Sequence, residues 1–368
     1  MINAPYLIAL SQISFLGPSR LRRLIDFFSD PKDAWTAKLP EFLAAGFSEK
    51  EATDIIIKRQ EINPENELKR LEQAGIGFIT SDEAAYSKLL KEIYNTPPLL
   101  YYRGNINCLN MPCLGVVGAR KHTAYGQQAT EKIVAGIAQA GITVISGLAL
   151  GIDALAHKIT LDQGGLTAAV LGSDLSWDNI GPKTNFHLAE KILESAGCLV
   201  SEFPLGVSAN RATFPQRNRL ISGLSSGVLV IEAGESSGSL ITADYALEQN
   251  RDVFAVPGSI FSPYSAGTNN LIKKGAKPVT GSDEIIEEYG WQKLPKITVT
   301  ATENEPTETE KEILGYLSAE PLHLDKIVQV CNIRINTLSS LFMIMSIKGL
   351  VKDIGGGNYI RIYKNKDS

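Results

Sequence analysis

The residues from Asn210 to Arg219, NRATFPQRNR, hold the densest chemistry in the chain. Between Phe203 and Ile231 the charged side chains are Arg211, Arg217 and Arg219, with no Asp or Glu among them. Gly104 to Thr130 is similar, with Arg120 and Lys121 as its only charged residues. Guanidinium groups meet phosphate oxygens through paired N–H donors. Phe214, inside the Arg cluster, offers a ring on which a nucleobase can stack, worth ~1–3 kcal/mol per base. Basic side chains with an interleaved aromatic suit a single-stranded nucleic acid. The same residues also fit three arginines solvating a loop with Phe214 turned into a core, and residue type alone leaves both readings open.

Three turns rich in Gly and Ser accompany the cluster. The run LGVV ends at Gly118-Ala119-Arg120-Lys121, and ITVIS ends at Gly147-Leu148-Ala149-Leu150-Gly151-Ile152-Asp153. VLVIEA ends at Gly234-Glu235-Ser236-Ser237-Gly238-Ser239, which opens a helix from Leu240 to Glu248. Backbone N–H groups at a helix start attract anions, and glycine lets a phosphate approach closely. One such turn equally reflects tight helix–sheet packing; three in one sheet favour a phosphate-bearing ligand. The dinucleotide fingerprint G-x-G-x-x-G, with an acid ~20 positions on, is absent after the first of these strands. No G-x-x-x-x-G-K-[ST] occurs either, which argues against a P-loop motor.

These turns need a sheet to align them. Six apolar runs, LGVV, ITVIS, TAAVL, CLVS, VLVIEA and DVFAV, alternate with helical stretches between about residues 76 and 290. That alternation predicts an α/β domain with a doubly wound, mostly parallel Rossmann-like sheet. Its ligand is expected outside the carboxyl ends of the strands. Residues 1–75 read as a small helical domain, broken at Gly17-Pro18, Asp30-Pro31, Gly46 and Asn63-Pro64. Residues 291–308, around TENEPTE, read as a linker. Residues 309–368 read as three helices and a strand ribbon with a Gly-rich tip, the order of a winged helix.

The length of 368 residues allows two to three domains at ~150 residues each. Charges of 36 Lys+Arg against 40 Asp+Glu give a net −4, so any basic groove must be local. Four scattered cysteines make no disulfide framework, and no apolar run approaches the ~18 residues of a membrane span. A cytoplasmic protein without a membrane anchor is expected.

Other residues carry weaker signals. Asp153 and His157 lie four apart on a helix with no third ligand at metal spacing, so a helix-start Asp beside a partly buried His is favoured over a metal pair. Cys108 and Cys113 lack a second pair for zinc. Ser237 and Ser239 sit where helix capping is the common task, with no His–Asp partner to activate either. Leu16-Gly17-Pro18-Ser19-Arg20 is similar to a helix-hairpin-helix turn, with Ser19 in place of its second Gly. The recognition-helix candidate, Ile335 to Leu350, carries Lys348 as its only basic residue, which favours partner contact over base reading.

The series GAR at 118–120, SGLALGIDALAH at 146–157, SEFPLG at 201–206, FPQRNRLISGLS at 214–225, EAGESSGSLITADYALEQNRDVFAVPG at 232–258 and SAGTNNLIKKGA at 265–276 resembles the DprA/Smf family of DNA-processing proteins. The likeness covers roughly 75 to 290, and FP-x-RNR followed by SGS-x-x-TA is its most specific part. It implies an extended Rossmann-like domain that binds single-stranded DNA, flanked by a sterile-alpha-motif or helix-hairpin-helix domain and a winged helix. It also implies a homodimer that loads the recombinase RecA onto DNA coated by single-strand-binding protein during natural transformation.

By position, the resemblance assigns phosphate contacts to Arg120 and Arg211 and a base pocket to Phe214. It aligns Arg217, Asn218 and Arg219 with the family's RNR. Together with the turns at Gly118, Gly147, Ser237 and Gly238, these make the expected DNA site, with no catalytic residue, metal or cofactor. Leu150 departs from the family, where Arg is common, and IGPKTN at 180–185 departs where Tyr-Pro is common. The rival reading is a nucleotide-binding or phosphoribohydrolase-type Rossmann enzyme. Such enzymes carry a P-G-G-x-G-T-x-x-E turn, whose closing acid has no counterpart in Glu235 to Thr242.

Overall fold

A computed structural model describes residues 3–291 and, beyond them, 307–318, 322–331, 333, 335–347, 350–353 and 357–361. The chain divides into two compact units, Met1–Thr298 and Val299–Ser368.

The first unit is built on a nine-stranded sheet: β1 (Gly77–Thr80), β2 (Leu99–Gly104), β3 (Cys113–Val117), β4 (Thr143–Ser146), β5 (Thr167–Val170), β6 (Cys198–Ser201), β7 (Gly227–Val230), β8 (Asp252–Ala255) and β9 (Lys277–Pro278). Their order is β1-β2-β6-β5-β4-β3-β7-β8-β9. From β6 to β9 every pairing is parallel, while β2 joins β6, and β1 joins β2, antiparallel. The six apolar runs of the sequence are β3 to β8. Strands β3 to β7 are buried at every position, as expected of strands covered on both faces by helices. β1, β2 and β9 are additions to the six.

Residues 4–73 form helices Ala4–Ser11, Pro18–Phe28, Pro31–Thr36, Leu39–Ala44, Glu49–Lys58 and Pro64–Gln73. Their core is not separate. Leu7, Leu10 and Phe42 belong to one buried cluster with Leu99 and Tyr101 of β2 and Ala169 of β5. Ser11 Oγ and Tyr101 Oη share a 2.7 Å hydrogen bond across the junction. The helical segment expected as residues 1–75 therefore shares a core with the sheet that follows it, inside one compact unit. In the hairpin-like turn, Arg20 is held by Glu51 at 2.8 Å.

The second unit has helices Glu308–Tyr316, Leu324–Cys331 and Ile335–Ile347 with strands β10 (Leu322–His323), β11 (Val351–Asp353) and β12 (Asn358–Arg361). The strands pair in the order β10-β12-β11 around a core of Ile313, Ile327, Leu338, Phe342 and Val351. This is a winged helix, with one short strand more than the ribbon read from sequence. The expected linker lies almost wholly outside the described residues, as does Lys348. Among the described residues no helix is long and apolar enough to cross a membrane.

Candidate nucleic-acid interface

The winding of the chain reverses between β3 and β7: β4 to β6 extend to one side of β3 and β8 and β9 to the other. Loops leaving adjacent strand ends in opposite directions leave a crevice there. In this protein it is a cleft of about 1020 Å³, walled by the turns after β3, β4 and β7 and by the starts of helices Thr213–Gly223 and Gly238–Glu248.

Hydrogen bonds fix the turns to one another. Ala119 N–H donates to the Glu232 carbonyl at 2.8 Å, and Ile152 N–H donates to the Ala119 carbonyl at 3.2 Å. Gly151 has φ +82°, and a Cβ there would stand 2.5 Å from the Arg120 carbonyl oxygen, so any side chain would drive the first two turns apart. Leu148 adopts φ +56°. Its carbonyl and that of Ala149 accept from Asn185 Nδ2 at 2.8 and 3.2 Å, so the divergent IGPKTN loop serves as the clamp of this turn.

Arg120, Lys121 and Arg211 line the cleft with exposed side chains. Phe214 stands between them, half-buried, with the Arg120 guanidinium carbon 5.4 Å from its ring centroid. Gly172, just past β5, makes room for the ring: a Cβ there would sit 3.3 Å from it. Asn210 Oδ1 accepts from Ala212 and Thr213 N–H at 2.8 and 3.2 Å, which starts the helix that aims Phe214 into the cleft. Across from it, Ser237 caps the helix Gly238–Glu248, and Asn218 Nδ2 donates to the Gly238 carbonyl at 3.3 Å.

Eight of the ten expected residues line this cleft; Gly147 and Arg219 do not. Arg219, expected in the DNA site as part of the RNR, stands inside the protein as a strut. It is 9% exposed, ion-paired to Glu202 and hydrogen-bonded to the Asn95 carbonyl at 2.7 Å. Helical spacing explains this: residues two apart on a helix point about 200° apart, so Arg217 and Arg219 cannot share a face. Arg217 does reach the cleft floor, yet at 4% exposure its guanidinium donates to the carbonyls of Gly147, at 2.6 Å, and Val170. It ties the ends of β4 and β5 together and leaves a fixed cation under the floor. Gly147, expected in the DNA site, is the gap that admits this arginine: a Cβ would lie 2.6 Å from both Arg217 Cζ and Asp153 Oδ2.

Burial pushes Arg217 down to about 10, with Asp153 opposing and Arg120 adding to the shift, so it stays charged at neutral pH. Asp153, the one carboxylate among the lining residues, is 6% exposed and accepts from Gly147 N–H at 3.2 Å. Its carboxyl is raised by burial, against the pull of Arg217. His157 is fully buried and bonded to Thr167 Oγ1 at 2.7 Å through Nδ1; burial and Arg217 push it down to about 3, so it is neutral. Of the other carboxylates nearby, Glu232 accepts from Thr123 N–H and Oγ1 at 2.9 and 2.6 Å and is buried, while Glu235, between the lining residues Gly234 and Ser236, is exposed.

Two lining residues with a charge or a ring to offer a ligand stand outside the ten expected. Lys121 was legible as the neighbour of Arg120. Tyr264, 39% exposed, comes from the loop after β8, and no spacing links it to the Arg cluster.

A family model for DNA recombination-mediator protein A matches residues 77–290, and one for the DprA winged helix domain matches 298–357. Protein Smf of Synechocystis sp. is 37% identical over 394 aligned residues that cover 97% of this chain and 98% of its own. Among solved structures, DNA processing protein A from Streptococcus pneumoniae superposes with a TM-score of 0.68 at 32% identity, covering 78% of this chain and 99% of its own. DNA processing protein A from Helicobacter pylori, a protein with a single-stranded DNA binding mode, gives 0.52 at 27% identity over 59% of this chain and 97% of its own. A mostly parallel sheet with its cleft at the winding switch, a winged helix, and matches along nearly the whole chain converge on one conclusion: the chain belongs to the DNA recombination-mediator protein A, or DprA/Smf, family.

Proposed function

We infer that this chain binds single-stranded DNA in the cleft between β3 and β7. The observation that carries the reading is the grouping of three exposed cations, Arg120, Lys121 and Arg211, around two aromatic rings, Phe214 and Tyr264. The one lining carboxylate is buried beside Arg217. Cations neutralise phosphates and release counter-ions, while exposed rings accept any base by its face, so binding is salt-dependent and sequence-tolerant. The single-stranded DNA binding of the Helicobacter pylori relative supports the same reading. Arg217 contributes charge from beneath, and the open start of the helix at Ser237 and Gly238 adds backbone polarity that favours an anion.

Family membership supports a wider role as a recombination mediator. The protein then holds incoming single strands as a homodimer and helps load RecA onto strands coated by single-strand-binding protein during DNA uptake.

Fluorescence anisotropy of a labelled oligothymidylate at two salt concentrations tests the binding step, with duplex and mononucleotide as competitors. Single strands should win and affinity should fall steeply with salt. A mononucleotide competing as well as an oligomer would instead mark the cleft as a nucleotide pocket. The mediator role predicts faster RecA-driven strand exchange on single-strand-binding-protein-coated DNA when this protein is added; an unchanged rate would remove that part.

A further inference from the structure

A second groove of about 420 Å³ lies beside the cleft, between the helices Ile152–Asp162 and Phe186–Glu194. Its floor is apolar, with Ala154, Leu155, Leu161 and Leu188. Lys158 and Lys191 stand at its rim, both exposed and neither in an ion pair among the described residues. His122 and His187 line it too. Its one lining carboxylate is Asp162, at the last residue of its helix; Glu190 nearby accepts from His187 at 2.8 Å.

The cleft and the groove are two sides of one ridge. Arg120 and Lys121 line the cleft and the next residue, His122, lines the groove; Ala149 lines the cleft and Gly151 the groove. The two turns touch along this ridge, where Gly151 packs on the Arg120 carbonyl. Leu150 crowns it with a side chain 46% exposed, an apolar surface on the direct route from one side to the other.

The geometry points to a second segment of the DNA path: a single strand leaving the cleft crosses the ridge over Leu150 and lies in this groove, its phosphates beside Lys158 and Lys191. This rests on the single-strand reading of the cleft. Charge complementarity and continuity with the cleft select that occupant. An apolar floor with cations at the rim suits a chain whose bases and phosphates point to opposite sides. The groove then makes affinity depend on oligomer length, because only a strand long enough to pass the ridge reaches it.

The test compares oligothymidylates of about 6 and about 20 nucleotides, within and beyond the ~4–16-nucleotide footprints usual for single-strand grooves. The variants are the double substitution Lys158→Gln with Lys191→Gln and a control, Lys50→Gln with Lys69→Gln, on helices outside both sites. For the long oligomer, the groove variant should bind about tenfold more weakly, with a log–log salt slope reduced by roughly 1.4, at ~0.7 per phosphate contact. Its affinity for the short oligomer, and both affinities of the control, should match the unsubstituted protein. If the groove variant binds the long oligomer like the unsubstituted protein, or loses short and long alike, the groove is not on the path. Failure of the unsubstituted protein to bind either oligomer is a different result, and removes the cleft reading on which this one rests.

Discussion

Arg120 holds its guanidinium carbon 5.4 Å from the centroid of the Phe214 ring, although 94 positions separate the two residues in the chain. One comes from the turn after β3 and the other from the helix that follows β6, and the crossover of the sheet brings them together. The contact orders a long cationic side chain against a flat ring before any ligand arrives, which reduces the entropy lost on binding. It also presents a planar guanidinium to solvent, on which a base can stack as it would on the ring.

Phe214→Leu keeps apolar volume and removes the platform. Its affinity for oligothymidylate should fall by about 1–3 kcal/mol with little change in salt slope. Arg120→Gln should instead lower the slope by about 0.7 as well as the affinity. Titrations at several salt concentrations separate the two. Equal salt slopes in both variants would show that Arg120 makes no phosphate contact.

Arg219→Leu should act on the fold. It leaves Glu202 buried, with its carboxyl already raised by burial and without the arginine that opposes that shift. Removing one partner of a buried pair costs about 3–5 kcal/mol, read as a lowered urea midpoint. The fraction that remains folded should bind single strands as before. A variant of normal stability and lost affinity would return Arg219 to the binding surface.

Gly147→Ala and Gly238→Ala should differ sharply, though both glycines sit in Gly-Ser turns. The first places a methyl against Arg217 and Asp153, and overpacking of this kind costs about 1–3 kcal/mol. The second meets no atom within 4 Å and should leave stability nearly unchanged. Thermal melts of both variants decide it; equal melting temperatures would contradict the packing around Arg217.

His157 gives the fold a pH dependence of known sign. Its folded-state value is pushed down from 6.5 to about 3, so the unfolded chain binds the proton more readily between those limits. Stability from the neutral ring is fully present above about 6.5 and is lost as pH falls toward 3, by about 2 kcal/mol between pH 7 and 5. Asp153 and Glu202, raised by burial, contribute with the opposite sign as pH rises past 3.8 and 4.5. Urea titrations of the parent and His157→Gln from pH 7 to 5 isolate the histidine: the difference in stability should shrink as pH falls. A constant difference would mean that His157 does not titrate in this way.

Much of this architecture was legible in residue order. The runs LGVV to DVFAV alternate with helical stretches, and strands buried on both faces have to be continuous in apolar residues, so β3 to β8 could be read directly. The Gly-bearing turns at 118, 147 and 234 announced the strand ends that meet at the cleft. β1, β2 and β9 escaped because the antiparallel pair GFIT and LLYYRG at one margin of the sheet, and a two-residue bridge at the other, lack that continuous apolar signature.

What the sequence by itself determined was the set of strands, the turns and the local excess of positive charge. Tertiary structure alone decided which arginines face the cleft. Arg211, Arg217 and Arg219 are chemically identical and closely spaced, yet Arg211 stands in the loop before the helix Thr213–Gly223, and the directions of the other two depend on the phase of that helix against the sheet. Burial then commits Arg217 to strand-end carbonyls and Arg219 to Glu202, because an interior guanidinium must spend its donors on protein acceptors, while Arg211 keeps its donors in solvent.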